Sequence, residues 1–135
     1  MRILIADDHE IVRKGVCSIL ESRKNIEICG EASNGQEAVQ KAFQLNPDLV
    51  ILDVTMPLLD GFAAARQIKK ILPNVPILML SMHDGNDAVR EAQLAGVQGF
   101  VTKSEAANVL LRAMDALFDG HTFFIYDRTN SRTGS

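Results

Sequence analysis

The 135-residue chain is short of cysteine, of basic excess and of long apolar runs, and each shortage excludes a class of protein. Cys17 and Cys29 fit no metal-binding spacing and are expected to be buried, reduced thiols of a cytoplasmic protein. Fourteen Lys and Arg against 17 Asp and Glu give a net charge of −3. The chain therefore lacks the basic surface of a nucleic-acid binder. No apolar run approaches the roughly 18 residues that span a bilayer. The first short one closes on Asp7 and Asp8, unlike a signal peptide, so no membrane contact is expected. There is no repeat and no low-complexity stretch. With 47% hydrophobic and 23% charged residues, the composition is that of one globular domain.

What is present alternates. Apolar runs at 2–6, 26–32, 48–53, 76–81 and 98–102 read as strands. Segments with helical spacing fall between them, at 9–23, 37–45, 62–72, 84–95 and 104–118. Asn46-Pro47 and Pro73 stop two of the helices, Asp60 caps one, and Gly96 follows another. Strands with no polar face need helices on both sides, which requires a parallel sheet. The expected fold is α/β: a flavodoxin-like (βα)5, doubly wound, parallel five-stranded sheet of order 2-1-3-4-5. The pattern fades after Gly120. Residues 1–120 form the expected domain, and 121–135, with an apolar start at His121–Tyr126, form the start of a linker or an added tail.

In such a sheet chemistry collects at the carboxyl ends of the strands. The first strand ends in Asp7-Asp8, the third in Asp53, the fourth in Ser81, and the fifth runs into Thr102-Lys103. With the first and third strands adjacent, three carboxylates converge. Two unit charges ~5 Å apart repel by roughly 3 kcal/mol at an effective dielectric of ~20. Lys103 offsets part of this, and a hard divalent ion, Mg2+, offsets more. Asp8 alone could instead cap the helix that follows it.

At these residues the chain resembles the receiver domain of two-component response regulators. The likeness covers about residues 1–120 and rests on ILIADDH at 3–9, LVILDVTMPLLDG at 49–61, LMLSMHD at 78–84 and GFVTKS at 99–104. Asp-Asp-His, Ser-Met-His and Gly-Phe-Val-Thr-Lys further resemble the LuxR-type (NarL/FixJ) subfamily, whose members are usually transcription factors with a C-terminal helix-turn-helix domain. The resemblance implies that Asp53 is the phosphoacceptor for a sensor histidine kinase. It implies Asp8 as a direct Mg2+ ligand, Asp7 as a ligand through water, and the backbone carbonyl of Thr55 as a further ligand. Lys103 would pair with the phosphoryl oxygens. Ser81 would move toward the phosphoryl group, letting the switch aromatic, Phe100, turn inward. Ser104 stands where many receivers have Pro, and Phe100 lacks the hydroxyl of the more usual Tyr. His9 and His83 are candidate phosphate or metal contacts, though loop residues facing solvent are the plainer reading. Thr55 and His83 are candidates for setting the phosphoryl lifetime, and Met82 is bulky for its position.

The last helix carries apolar residues over an arc of about 220°, more than the ~100° needed to bury one face. The surplus, assigned to Leu111, Met114 and Phe118, points to a homodimer partner, an effector domain or a fold-back of 121–126. The expected protein is a switch and not a turnover enzyme, with its own or a neighbouring effector domain as partner. Two other readings are a stand-alone receiver acting through protein contacts and an aspartyl-phosphate hydrolase. The hydrolase would carry a second acid two residues after its nucleophile, where this chain has Thr55. A nucleotide-binding domain is disfavoured because no Gly-x-Gly-x-x-Gly follows the first strand, and the glycines at 30–35 lack the Lys-Ser/Thr of a P-loop.

Overall fold

The computed structural model describes residues 1–82 and 86–124. The elements are β1 (Arg2–Ala6), α1 (Glu10–Glu21), β2 (Glu27–Ala32), α2 (Gly35–Leu45), β3 (Leu49–Asp53) and α3 (Gly61–Ile71). They continue with β4 (Ile77–Ser81), α4 (Asn86–Leu94), β5 (Gly99–Thr102), α5 (Ala106–Phe118) and β6 (Phe123–Phe124). The strands form one parallel sheet of order β2-β1-β3-β4-β5-β6.

Every residue of β3, β4 and β5 is buried, as strands covered on both faces must be. Successive side chains alternate between two apolar clusters. Leu4, Val50, Leu52, Met79 and Phe100 meet α2, α3 and α4 on one face. Ile3, Ile5, Ile51, Leu78 and Val101 meet α1 and α5 on the other. Small residues such as Ala38, Ala42, Ala64 and Ala65 let α2 and α3 lie close to the sheet. Asn46 ends α2 in the left-handed conformation just before Pro47, and Asp60 Oδ1 caps α3 by accepting from the Ala63 N–H at 2.8 Å.

The parallel α/β architecture and the order of the first five strands agree with the sequence reading. The sheet has one strand more. Phe123–Phe124 pairs with β5, Phe123 opposite Gly99 and Phe124 opposite Phe100. The two rings straddle the sheet: Phe123 packs on the cluster beneath α5, and Phe124 on the cluster that contains Phe100. Residues 121–124 therefore continue the domain, and a boundary at Gly120 would cut this strand from the sheet. Residues 125–135, including the end of the apolar 121–126 segment, lie outside the described residues, as do His83 and Asp84.

The apolar surplus assigned to α5 is largely consumed inside the molecule. Met114 is buried, and Leu111 and Phe118 are half-buried against the α1–α5 cluster. The arc is wide because α5 packs against both α1 and the sheet, out to its edge strand β6. Among the described residues no helix is long and apolar enough to cross a membrane.

Candidate functional site

Parallel register brings the strand ends to one rim. Ile3–Ala6 of β1 pair with Leu49–Leu52 of β3, so Asp7 and Asp53 emerge side by side. Asp53 lies opposite Leu80, Ser81 lies opposite Thr102, and the Lys103 N–H donates to the Ser81 carbonyl at 2.8 Å. The loop after β3 folds back sharply. The Gly61 N–H donates to the Val54 carbonyl at 2.7 Å, and Met56 is buried beneath the loop. A Cβ on Gly61 would stand 2.2 Å from the Asp53 carbonyl oxygen, so only glycine permits this approach.

At the rim Asp7 and Asp53 are buried, 1% and 3% exposed, while Asp8 is exposed. Lys103 Nζ lies 3.0 Å from Asp7 Oδ2 and 3.2 Å from Asp53 Oδ1. Asp53 Oδ2 is buried with no hydrogen-bond partner among the described residues. Burial pushes the Asp53 carboxyl from 3.8 up to about 6; the charge of Asp7 adds to the rise, while Lys103 and the Thr55 backbone N–H oppose it. Burial works against the charge of Lys103, yet hydrogen bonding and attraction from Asp7 and Asp53 raise its pKa above the usual lysine value.

Asp7, Asp8, His9 and Asp53 each place a ligand atom within 4.8 Å of the others. An orphaned buried carboxylate oxygen beside an exposed acid suits a hard divalent ion. The site thus gathers Asp7, Asp8, Asp53 and Lys103 as read from the sequence, with Ser81, 2% exposed, at the end of the neighbouring strand. Thr55 is exposed on the loop, and its backbone N–H faces Asp53.

Two expectations are corrected. Asp8 does not cap α1: the N-cap residue is His9, and it is Asp7 Oδ1 that accepts from the His9 N–H, at 2.9 Å. His9 is exposed ahead of α1, with Nδ1 3.1 Å from Asp8 Oδ1. Phe100 is not a ring waiting outside, for it is already fully buried, packed with Val89, Ala92 and Phe124 in one cluster. Without a phenolic hydroxyl the ring has no polar tip to keep near water. Met82 is exposed.

Arg13 was not legible in the sequence. It donates to the Asp7 carbonyl at 2.7 Å through Nη1 and to Glu31 Oε1 at 2.9 Å through Nε. Glu31 belongs to β2, and only the folded sheet brings it to α1.

The family model for the response regulator receiver domain matches residues 3–115. The chain is a response regulator receiver domain. Among relatives, the response regulator protein VraR of Staphylococcus aureus is 38% identical over 124 residues, covering 92% of this chain and 59% of VraR. The receiver thus spans about three-fifths of the length of the curated relatives it matches. Among solved structures, a LuxR-family two-component response regulator from Aurantimonas sp. SI85-9A1 superimposes with a TM-score of 0.89 at 32% identity, covering 97% of this chain and 92% of that one. The receiver domain of NarL from Mycobacterium tuberculosis gives 0.84 at 28% identity, covering 89% and 97%. These likenesses make the domain LuxR-type. Receiver domains work with histidine kinases and effector domains and are generally not turnover enzymes.

Proposed function

We propose that Asp53 takes a phosphoryl group from a histidine kinase and that the resulting charge repacks the Ser81–Phe100 side of the sheet. The observation that carries this reading is the Asp53 carboxylate. It is buried, has one oxygen on Lys103 and the other without a partner among the described residues, and sits among the acids of the rim. An Asp53 oxygen forms the new O–P bond while the N–P bond of the phosphohistidine breaks and its electron pair returns to the imidazole nitrogen. Deprotonated, Asp53 is the nucleophile. Its raised pKa still leaves most of it ionised at neutral pH.

Asp8, Asp53, the Thr55 carbonyl and, through water, Asp7 are the groups proposed to hold Mg2+. When bound, that ion neutralises charge gathering on the phosphoryl oxygens. Lys103 would turn its ammonium to those oxygens, and the Ser81 hydroxyl would donate to one of them. Because Phe100 is already inside, its response would be repacking within its cluster, not entry from solvent. Phe124 shares that cluster and leads to the C-terminal segment, which gives the change a route outward.

In the whole protein the output would be transcription, through a C-terminal helix-turn-helix domain, in the cytoplasm. Any homodimer would use the apolar groove of about 180 Å³ between α1 and α5, where Val12, Ile19 and Ala107 lie beside Lys103. The test is incubation with acetyl phosphate and Mg2+ followed by intact-mass measurement. A single phosphoryl adduct, absent from Asp53→Asn, is expected; an equal adduct on Asp53→Asn overturns the reading.

A further inference from the structure

One group in the acidic pocket has no part in this chemistry. His9 occupies the N-cap position of α1 but makes no side-chain capping bond, and its side chain is 64% exposed. Its Nδ1 lies 3.1 Å from Asp8 Oδ1 and 3.4 Å from Asp7 Oδ1. Around an ion with bonds of about 2.0–2.2 Å, neighbouring ligand atoms stand roughly 2.9–3.5 Å apart. Both separations match such an edge. Asp53, whose buried Oδ2 has no hydrogen-bond partner among the described residues, belongs to the same group of ligand atoms within 4.8 Å of one another, and an orphaned carboxylate oxygen there calls for a cation.

We infer that His9 contributes an imidazole ligand to this pocket, so that the site binds borderline transition ions such as Co2+ or Zn2+ more tightly than its carboxylates alone would. Imidazole nitrogen favours these ions, whereas Mg2+ prefers oxygen and keeps its waters. His9 would then decide which metal occupies the receiver. The inference rests on the receiver reading, because the carboxylates are those proposed to hold Mg2+. The competing account is a simple ion pair between imidazolium and Asp8. In that case removing His9 frees the acids equally for every divalent ion, and the ratio of affinities stays fixed.

The test is calorimetric titration of the 135-residue chain with MgCl2 and with CoCl2, alongside the visible absorption of bound cobalt. His9 is exposed and its side chain caps nothing, so His9→Ala leaves the fold intact. Asp8→Asn serves as the control that weakens both ions. The expected result is a loss of about tenfold or more in cobalt affinity on His9→Ala, with an altered cobalt spectrum and Mg2+ affinity within about twofold of wild type. An unchanged cobalt-to-magnesium ratio overturns the inference and leaves the receiver reading standing. Failure of the wild-type chain to bind Mg2+ at all overturns both.

Discussion

Lys103 Nζ stands 3.2 Å from Asp53 Oδ1 and spans to Asp7 Oδ2, 3.0 Å away on the other side. One largely buried cation, its side chain 10% exposed, thus serves two buried anions, and the pocket keeps an excess of negative charge. Removing one member of a buried ion cluster leaves an uncompensated charge, typically at a cost of about 3–5 kcal/mol. Lys103→Met is therefore expected to lower the urea midpoint strongly at pH 7.5. Added Mg2+ restores part of the loss. A midpoint within experimental error of wild type in metal-free buffer would show that the ammonium is not what holds the two acids together.

The pH dependence of Asp53 has a definite sign. Its folded pKa, about 6, lies above its ordinary 3.8, so the native state holds the proton more tightly than the unfolded chain. Stability from this group is complete below about 3.8 and falls as pH rises through 6. The gap corresponds to at most roughly 3 kcal/mol. Asp53→Asn is expected to stabilise the metal-free chain at pH 7.5 by up to this amount, with the gain shrinking toward pH 4. Urea titrations at both pH values check it; a gain that is larger at pH 4 contradicts it.

Magnesium should act on the same balance from the other direction. A ligand that binds only the native state stabilises it by about 2.7 kcal/mol at a concentration of 100 Kd. Thermal melts of the wild-type chain are expected to rise with Mg2+ concentration, and those of Asp8→Asn to rise far less. Parallel rises would place the ion elsewhere.

Phe124 offers a test of where the domain ends. It packs on the Phe100 cluster and is half-buried, so Phe124→Ala removes about 1–2 kcal/mol of apolar burial. The same change should increase amide exchange at Phe123, whose N–H donates to the Gln98 carbonyl. Unaltered stability and exchange would mean that β6 adds nothing to the sheet.

Most of the fold was legible because the central strands carry no polar face and the polar groups at their ends mark the rim directly. LVILD and ILMLS allow little else. The site was legible for the same reason, since Asp7, Asp53 and Lys103 sit at strand ends that parallel pairing must align. Phe123–Phe124 was not, because a two-residue strand has no period of its own and is defined by the free edge of β5. The packing of Met114 was hidden by its dependence on α1, distant in sequence. The buried state of Phe100 depends on α4 and β6 together, and no local pattern records that.

The most direct test of the central claim is to locate the phosphoryl group. The receiver would be treated with acetyl phosphate with and without Mg2+, the acyl phosphate reduced with borohydride, and the converted residue found by peptide mass mapping. Conversion at Asp53, and only in the presence of Mg2+, is the predicted result. Conversion at Asp7 or Asp8, or at Asp53 to the same extent without the metal, would contradict it.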